Sequence, residues 1–126
     1  MRPIESLSVK DDKFSTTANY DGKAITLKLI GDGNMGAIAP LEEVLIALHD
    51  EAVRLHPEFV VLDFEKLEFM NSACFKKVLT WIGRVQAMDP RHQYRIKFVS
   101  NPKMLWQRRS LHALRCFAVD LISIDG

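Results

Sequence analysis

Two cysteines, Cys74 and Cys116, are all that the 126 residues contain. They show neither paired metal-ligand spacing nor the density of a disulfide scaffold, so free thiols in a reducing compartment are expected. No apolar run approaches the roughly 18 residues of a membrane span. The opening "MRPIESLSVKDDKF" has no apolar stretch of signal-peptide type. The expected location is therefore the cytoplasm, with no membrane partner. The four histidines, His49, His56, His92 and His112, form no HxxxH pair, and no metal site is expected. A Gly-Lys-Ser/Thr phosphate loop and a Gly-x-Ser-x-Gly elbow are absent, and no Ser/His/Asp or paired-carboxylate constellation can be assembled. The chain reads as a non-enzyme without cofactor. It has no repeat, linker or low-complexity stretch, and its length suits one domain over residues 1–126.

An overall excess of charge is also missing, since the formal net charge is +1. Its distribution is uneven. From Lys76 to Arg115 there are ten Lys/Arg against one acid, Asp89, and the remainder holds 7 Lys/Arg against 15 Asp/Glu, about +9 and −8. The polarity points to an acidic partner for the basic half, or to helices that expose solvated charge. Only Tyr94 and Trp106 could stack on bases within that half, and no nucleic-acid motif is present, so nucleic-acid binding is not expected.

Apolar residues make up 48% of the chain, enough for a core, and their spacing sets the element order. "FSTTANYDGKAITLKLI" reads as a hairpin in which Ile25, Leu27 and Leu29 share one face. Asp21-Gly22 suits a type I′ turn, with positive φ at both residues. "GDGNMGAIA" reads as a loop. Pro40 then opens a helix carrying Leu41, Val44, Leu45, Leu48, Ala52 and Leu55, with Glu42 and Glu43 near its positive end and Pro57 closing it. "EFVVLDF" is a continuous apolar run, the mark of a central parallel strand covered on both faces. It leads through a short acidic turn to a helix from Ser72, with Phe75, Val78, Leu79, Ile82 and Gln86 on one stripe, Cys74, Val78, Trp81 and Val85 on the adjacent one, and Lys77, Thr80 and Arg84 outward. "YRIKFVS", "PKMLWQRRSLHALRCF" and "VDLISID" complete the chain as strand, helix and strand, with Met104, Leu105, Leu111, Leu114 and Phe117 on that last helix. The expected fold is α/β, with a mixed five-stranded sheet packed against three main helices in the order β-β-α-β-α-β-α-β.

Gly31, Gly33 and Gly36 in "GDGNMG" match the dinucleotide fingerprint by letter. The mechanism fits poorly, because the expected helix starts at Pro40, after the glycines, and the acid, Asp63, comes later than the motif requires. A flexible turn is the plainer reading. Cys74, near a helix start, is either a reactive thiol or part of the core stripe that Val78 and Trp81 continue.

Asn71-Ser72 is the stretch that asks for a role. Either residue is a good helix N-cap. A hydroxyl at the mouth of a helix is also where free amides and the helix dipole would hold a phosphate.

"VVLDFEKLEFMNSACFKKVLTWI" resembles the core of STAS domains, in particular the bacterial anti-sigma factor antagonists. The shared pattern is an apolar strand ending in Asp, a short turn, and Asp-Ser-(Ser/Thr)-Gly opening a helix. The order of elements resembles that family over nearly the whole chain. Here Asn71 stands in the Asp position, Ala73 replaces the second hydroxyl and Cys74 the glycine. The resemblance implies that Ser72 is the phosphoacceptor of a serine/threonine kinase of anti-sigma type, reversed by a PP2C-type phosphatase. It also implies a partner-binding surface of Met70, Asn71, Ser72, Lys76, Lys77, Thr80 and Arg84. The alternative is a STAS-type scaffold or sensor that holds a nucleotide or other anion at Gly31, Gly33, Asn34 and Gly36, without phosphorylation.

Overall fold

The computed structural model describes residues 2–125. Its strands are β1 (Arg2–Pro3), β2 (Val9–Lys10), β3 (Phe14–Tyr20), β4 (Ala24–Gly33), β5 (Phe59–Met70), β6 (Arg95–Val99) and β7 (Ile122–Asp125). Its helices are α1 (Ile38–Leu55), α2 (Ser72–Gln86) and α3 (Leu105–Phe117). The sheet runs β1-β3-β4-β5-β6-β7, with β2 also on β3; β3 is antiparallel to β4, and β4 through β7 are parallel. The mixed α/β class and the three helices are as expected. The sheet has seven strands instead of five, because two-residue strands before Phe14 pair with β3, too short to show a periodicity.

Ile25, Leu27 and Leu29 on β4, Val60, Leu62 and Phe64 on β5, Ile96 and Phe98 on β6, and Ile122 on β7 are all buried. The residues alternating with them, among them Thr26, Phe59, Val61, Lys97 and Ser123, are half-buried or exposed. One face of the sheet therefore carries the helices and the other is open, in keeping with successive right-handed crossovers in a single direction. This corrects the expectation that β5 is covered on both faces. The strand is central and parallel, but Phe59 and Val61 reach the open side, where Lys97 lies over the Phe59 ring at 5.2 Å.

Local geometry differs from the sequence reading at three further points. The β3–β4 connection is the three-residue Asp21-Gly22-Lys23, and only Gly22 has positive φ. The Asp21 carboxylate accepts the amides of Lys23 and Ala24, which replaces a type I′ turn. Gly31 and Gly33 belong to β4, which runs into the expected loop as far as Gly33. Helix α1 starts at Ile38 after a 3-10 turn at Met35–Ala37, so Pro40 lies within the first turn, where an amide has no helical partner, and Glu42 and Glu43 fall beyond it. His56 ends α1 in the left-handed conformation, with Pro57 next.

Candidate functional site

The site is built where β4 and β5 extend past the rest of the sheet. The expected acidic turn is strand: β5 continues to Met70. It does so through two register shifts, since Lys28 and Ile30 face Asp63 and Lys66, and Gly31 and Asp32 face Leu67 and Phe69. Each inserts one extra residue in β5 and bends it. β6 pairs with β5 only as far as Asp63, which leaves the outer half of β5 without a strand on that side.

Side chains take the place of the missing strand. Gln107 on α3, fully buried, donates to the carbonyls of Phe64 at 2.6 Å and Leu67 at 2.9 Å, and accepts the Asn101 amide at 2.7 Å. Asn101 donates to the Glu65 carbonyl at 3.1 Å. These two residues, which the sequence reading passed over, position the strand that delivers Ser72. Gln107 stands four and seven residues before Leu111 and Leu114, on their row of the helix, but an amide side chain adds nothing to an apolar pattern.

At the end of β5, Met70 faces Gly33 and the Asn71 amide donates to the Gly33 carbonyl at 2.9 Å. A Cβ on Gly33 would lie 2.8 Å from the Phe69 carbonyl oxygen, so this close approach requires glycine. The Asn71 side chain then caps α2 by accepting the Cys74 amide at 2.8 Å. Ser72 is the first helical residue and exposed; its hydroxyl is not the cap. The amides of Ser72 and Ala73, the first two of the helix, have no partner in the helical ladder.

A second capped turn lies alongside. Asn34 accepts the Gly36 amide through its side chain at 2.9 Å and the Ala37 amide through its carbonyl at 3.0 Å. The Cys74 thiol reaches the same Asn34 carbonyl at 3.8 Å. Cys74 is buried, and burial raises its thiol pKa, which places it in the core stripe and not among reactive thiols. Gly31, Gly33, Asn34 and Gly36 thus sit at the same end of the sheet as Ser72. Several amides there are already engaged, including Asp32 with the Lys13 carbonyl at 2.7 Å. Asp32 also buries a carboxylate oxygen without a partner among the described residues.

Lys76, Thr80 and Arg84 are exposed along α2, with the Thr80 hydroxyl turned back to the Lys76 carbonyl. Lys77 is half-buried and ion-paired with Glu42 of α1, a counter-charge that sequence spacing could not reveal. Met35 and Phe69, 82% and 50% exposed, add apolar surface at the Ser72 end. Behind the α1–α2 groove, Tyr94 is buried; its hydroxyl accepts the Trp81 indole N–H at 3.0 Å and meets His49 Nδ1 at 2.8 Å. Among the described residues no group of three His, Cys, Asp or Glu is gathered for a metal, and no helix is long and apolar enough to cross a membrane.

Solved structures share this architecture. An anti-sigma factor antagonist from Mycobacterium paratuberculosis superposes with a TM-score of 0.67 at 16% identity, covering 93% of this chain and 89% of that one. The chain has the STAS fold. The anti-sigma factor antagonist SpoIIAA in its unphosphorylated form superposes with a TM-score of 0.54 at 14% identity, over 88% of each chain. No protein-family model matches the sequence, and no curated protein matches it. At such identities the likeness is one of fold.

Proposed function

We propose that the protein is a non-enzymatic regulator of the anti-sigma factor antagonist kind, whose binding to a protein partner is switched by phosphorylation of Ser72. The observation that carries this reading is the division of labour between neighbours. Asn71 holds the cap through the Cys74 amide, which leaves the Ser72 hydroxyl exposed at the amino end of α2. The fold likeness to SpoIIAA, a protein described in an unphosphorylated form, supports it.

The partner is a serine/threonine kinase of anti-sigma type. Unmodified, the protein docks through Met70, Asn71, Ser72 and the outward residues Lys76, Thr80 and Arg84, with Lys77 tied to Glu42 at the edge. In the switching step the Ser72 oxygen attacks the γ-phosphorus of ATP held by the kinase. The new O–P bond forms as the bond to ADP breaks, and the hydroxyl proton passes to a base of the kinase. Phosphate adds roughly −1.5 to −2 charges at a helix end that favours them, so the fold persists while the docking surface changes sign. A PP2C-type phosphatase reverses the step by hydrolysis.

Ligand binding at Gly31, Gly33, Asn34 and Gly36 is the weaker reading. The amides of Asp32, Gly36 and Ala37 are occupied, and the orphaned Asp32 oxygen repels an anion.

The test is mass spectrometry of the protein from its native cell, followed by capture of partners on Ser72→Ala and Ser72→Asp variants. A phosphate on the Asn71-Ser72 peptide, with a partner held by the Ala variant and released by the Asp variant, is the expected result. An unmodified peptide under every growth condition, or equal capture by both variants, refutes the reading.

A further inference from the structure

The outward faces of α1 and α3 carry opposite charge. Between Leu105 and Phe117 there is no acid, while Arg108, Arg109, His112 and Arg115 are exposed. None of these arginines is in an ion pair among the described residues. Leu105, 80% exposed, and Phe117, 61% exposed, lie with them. On α1, Glu43 and Asp50 are exposed and in no ion pair among the described residues, beside Ile46 and Val53 at 42% and 45% exposure, and the exposed Arg54 is paired with Glu51. The outward side of α1 is thus mainly acidic around Ile46 and Val53, with Arg54 as its one Lys/Arg, and that of α3 is basic around Leu105.

The topology sets these faces in a particular relation. Strands β4 to β7 are parallel and adjacent in order, so α1, α2 and α3 lie side by side on one face, run in the same direction, and keep α2 in the middle. Glu43 and Asp50 are seven residues apart, as are Arg108 and Arg115. At a rise of 1.5 Å per residue each pair spans ~10 Å along its helix. A two-fold axis along α2 lays α1 of one copy parallel onto α3 of the other and, in the same operation, α3 onto α1. A patch that is acidic on one side of such an axis and basic on the other is self-complementary.

We propose that the helical layer is a dimerisation surface whose occupant is a second copy of this chain. Glu43 and Asp50 of each copy face Arg108 and Arg115 of the other, and Ile46, Val53 and Leu105 fill the space between. Nucleic acid or an unrelated acidic protein would answer the charge of α3 and leave the acidic, apolar stripe of α1 without a counterpart. The pairing also covers the outward side of α2. Self-association and docking of another protein on Lys76, Thr80 and Arg84 therefore exclude each other, although the dimer itself needs no modification of Ser72.

The experiment is sedimentation velocity of the full chain over a concentration series, at low salt and at about 0.5 M salt, where the Debye length falls below about 5 Å. The expected result is a dimer that grows with concentration and weakens in salt. Two double variants, Glu43→Arg with Asp50→Arg and Arg108→Glu with Arg115→Glu, each place like charges across both contacts, and each should raise the dissociation constant at least about tenfold. Mixed in equal amounts they should dimerise again, because acid meets base at both contacts of the mixed pair. Thermal melts of both variants check that they fold. A wild type that stays monomeric at low salt, variants that dimerise as the wild type does, or a mixture of folded variants that remains monomeric would each overturn the proposal.

Discussion

Asn71 and Cys74 are joined by a side-chain-to-amide hydrogen bond of 2.8 Å that spans Ser72 and leaves its hydroxyl to solvent. The cap and the candidate acceptor are thereby separable by mutation. Asn71→Ala should cost about 1 kcal/mol of unfolding free energy, the usual worth of a lost N-cap. Ser72→Ala should stay within about 0.5 kcal/mol of wild type, as for an exposed residue with no such bond. Urea denaturation of both variants decides; a larger loss at Ser72 would return the serine to a capping role. Asn71→Asp keeps an acceptor and adds a negative charge at the helix start, and should stabilise the unphosphorylated protein slightly.

Gln107 bonds two β5 carbonyls and one loop amide, all where β6 no longer reaches. Replacing it with Leu keeps much of the volume and strands those groups. At about 1–3 kcal/mol for each buried unsatisfied group, a loss of at least about 3 kcal/mol is expected. Hydrogen exchange should lose protection first between residues 64 and 70, while the pairing of β5 with β6 before Asp63 holds longer.

Stability should depend on pH through His49. Burial is the main cause that lowers its pKa from 6.5, with the positive charge of Arg84 second and Asp50 opposing. The geometry agrees: the Trp81 N–H donates to the Tyr94 oxygen, so the Tyr94 hydroxyl can donate to a neutral His49 Nδ1. Since the folded-state value lies below the unfolded one, the unfolded chain takes up the proton first. Stability is complete above about pH 7 and declines as pH falls from 6.5 toward the folded-state value. Urea midpoints measured from pH 8 to 5 on wild type and His49→Phe should converge at the acid end if this group is responsible.

The glycines of the "GDGNMG" stretch should act on folding. Gly31 has φ +99, and a Cβ there would stand 2.2 Å from the Lys13 carbonyl oxygen. Gly22 has φ +91 with open space around it. Gly22→Ala should therefore cost about 1 kcal/mol, the strain of the backbone alone, and Gly31→Ala clearly more, since the backbone must also move. Equal costs in thermal or urea unfolding would contradict the close approach of β3 to Gly31.

The parts of the fold legible in the sequence were those with long, regular periods. The β3–β4 hairpin, the three helices and the parallel succession of β5, β6 and β7 follow from alternating or helical spacing. What escaped was set by partners distant in sequence. "KLEFM" reads as a turn because its charges break the apolar run, yet pairing with β4 and the Gln107 clamp keep it extended. On α3 the inward arc is Gln107, Leu111 and Leu114, and Leu105 and Phe117 are left exposed. At the site, Asn71 and Ser72 were visible as a pair of candidate caps. Only the geometry assigned the bond to Asn71, and only contact between helices brought Glu42 to Lys77.

Gln107 lies 43 residues beyond Phe64, and this separation gives the bent strand a place in time as well as in space. The hairpin can close over three residues as soon as they are made, because local contacts carry little loop-closure cost. The outer half of β5 pairs with β4 early in the chain, but its Gln107 clamp forms only once α3 has been made. The extension that ends at Asn71 therefore takes its final, clamped shape after the hairpin and not together with it.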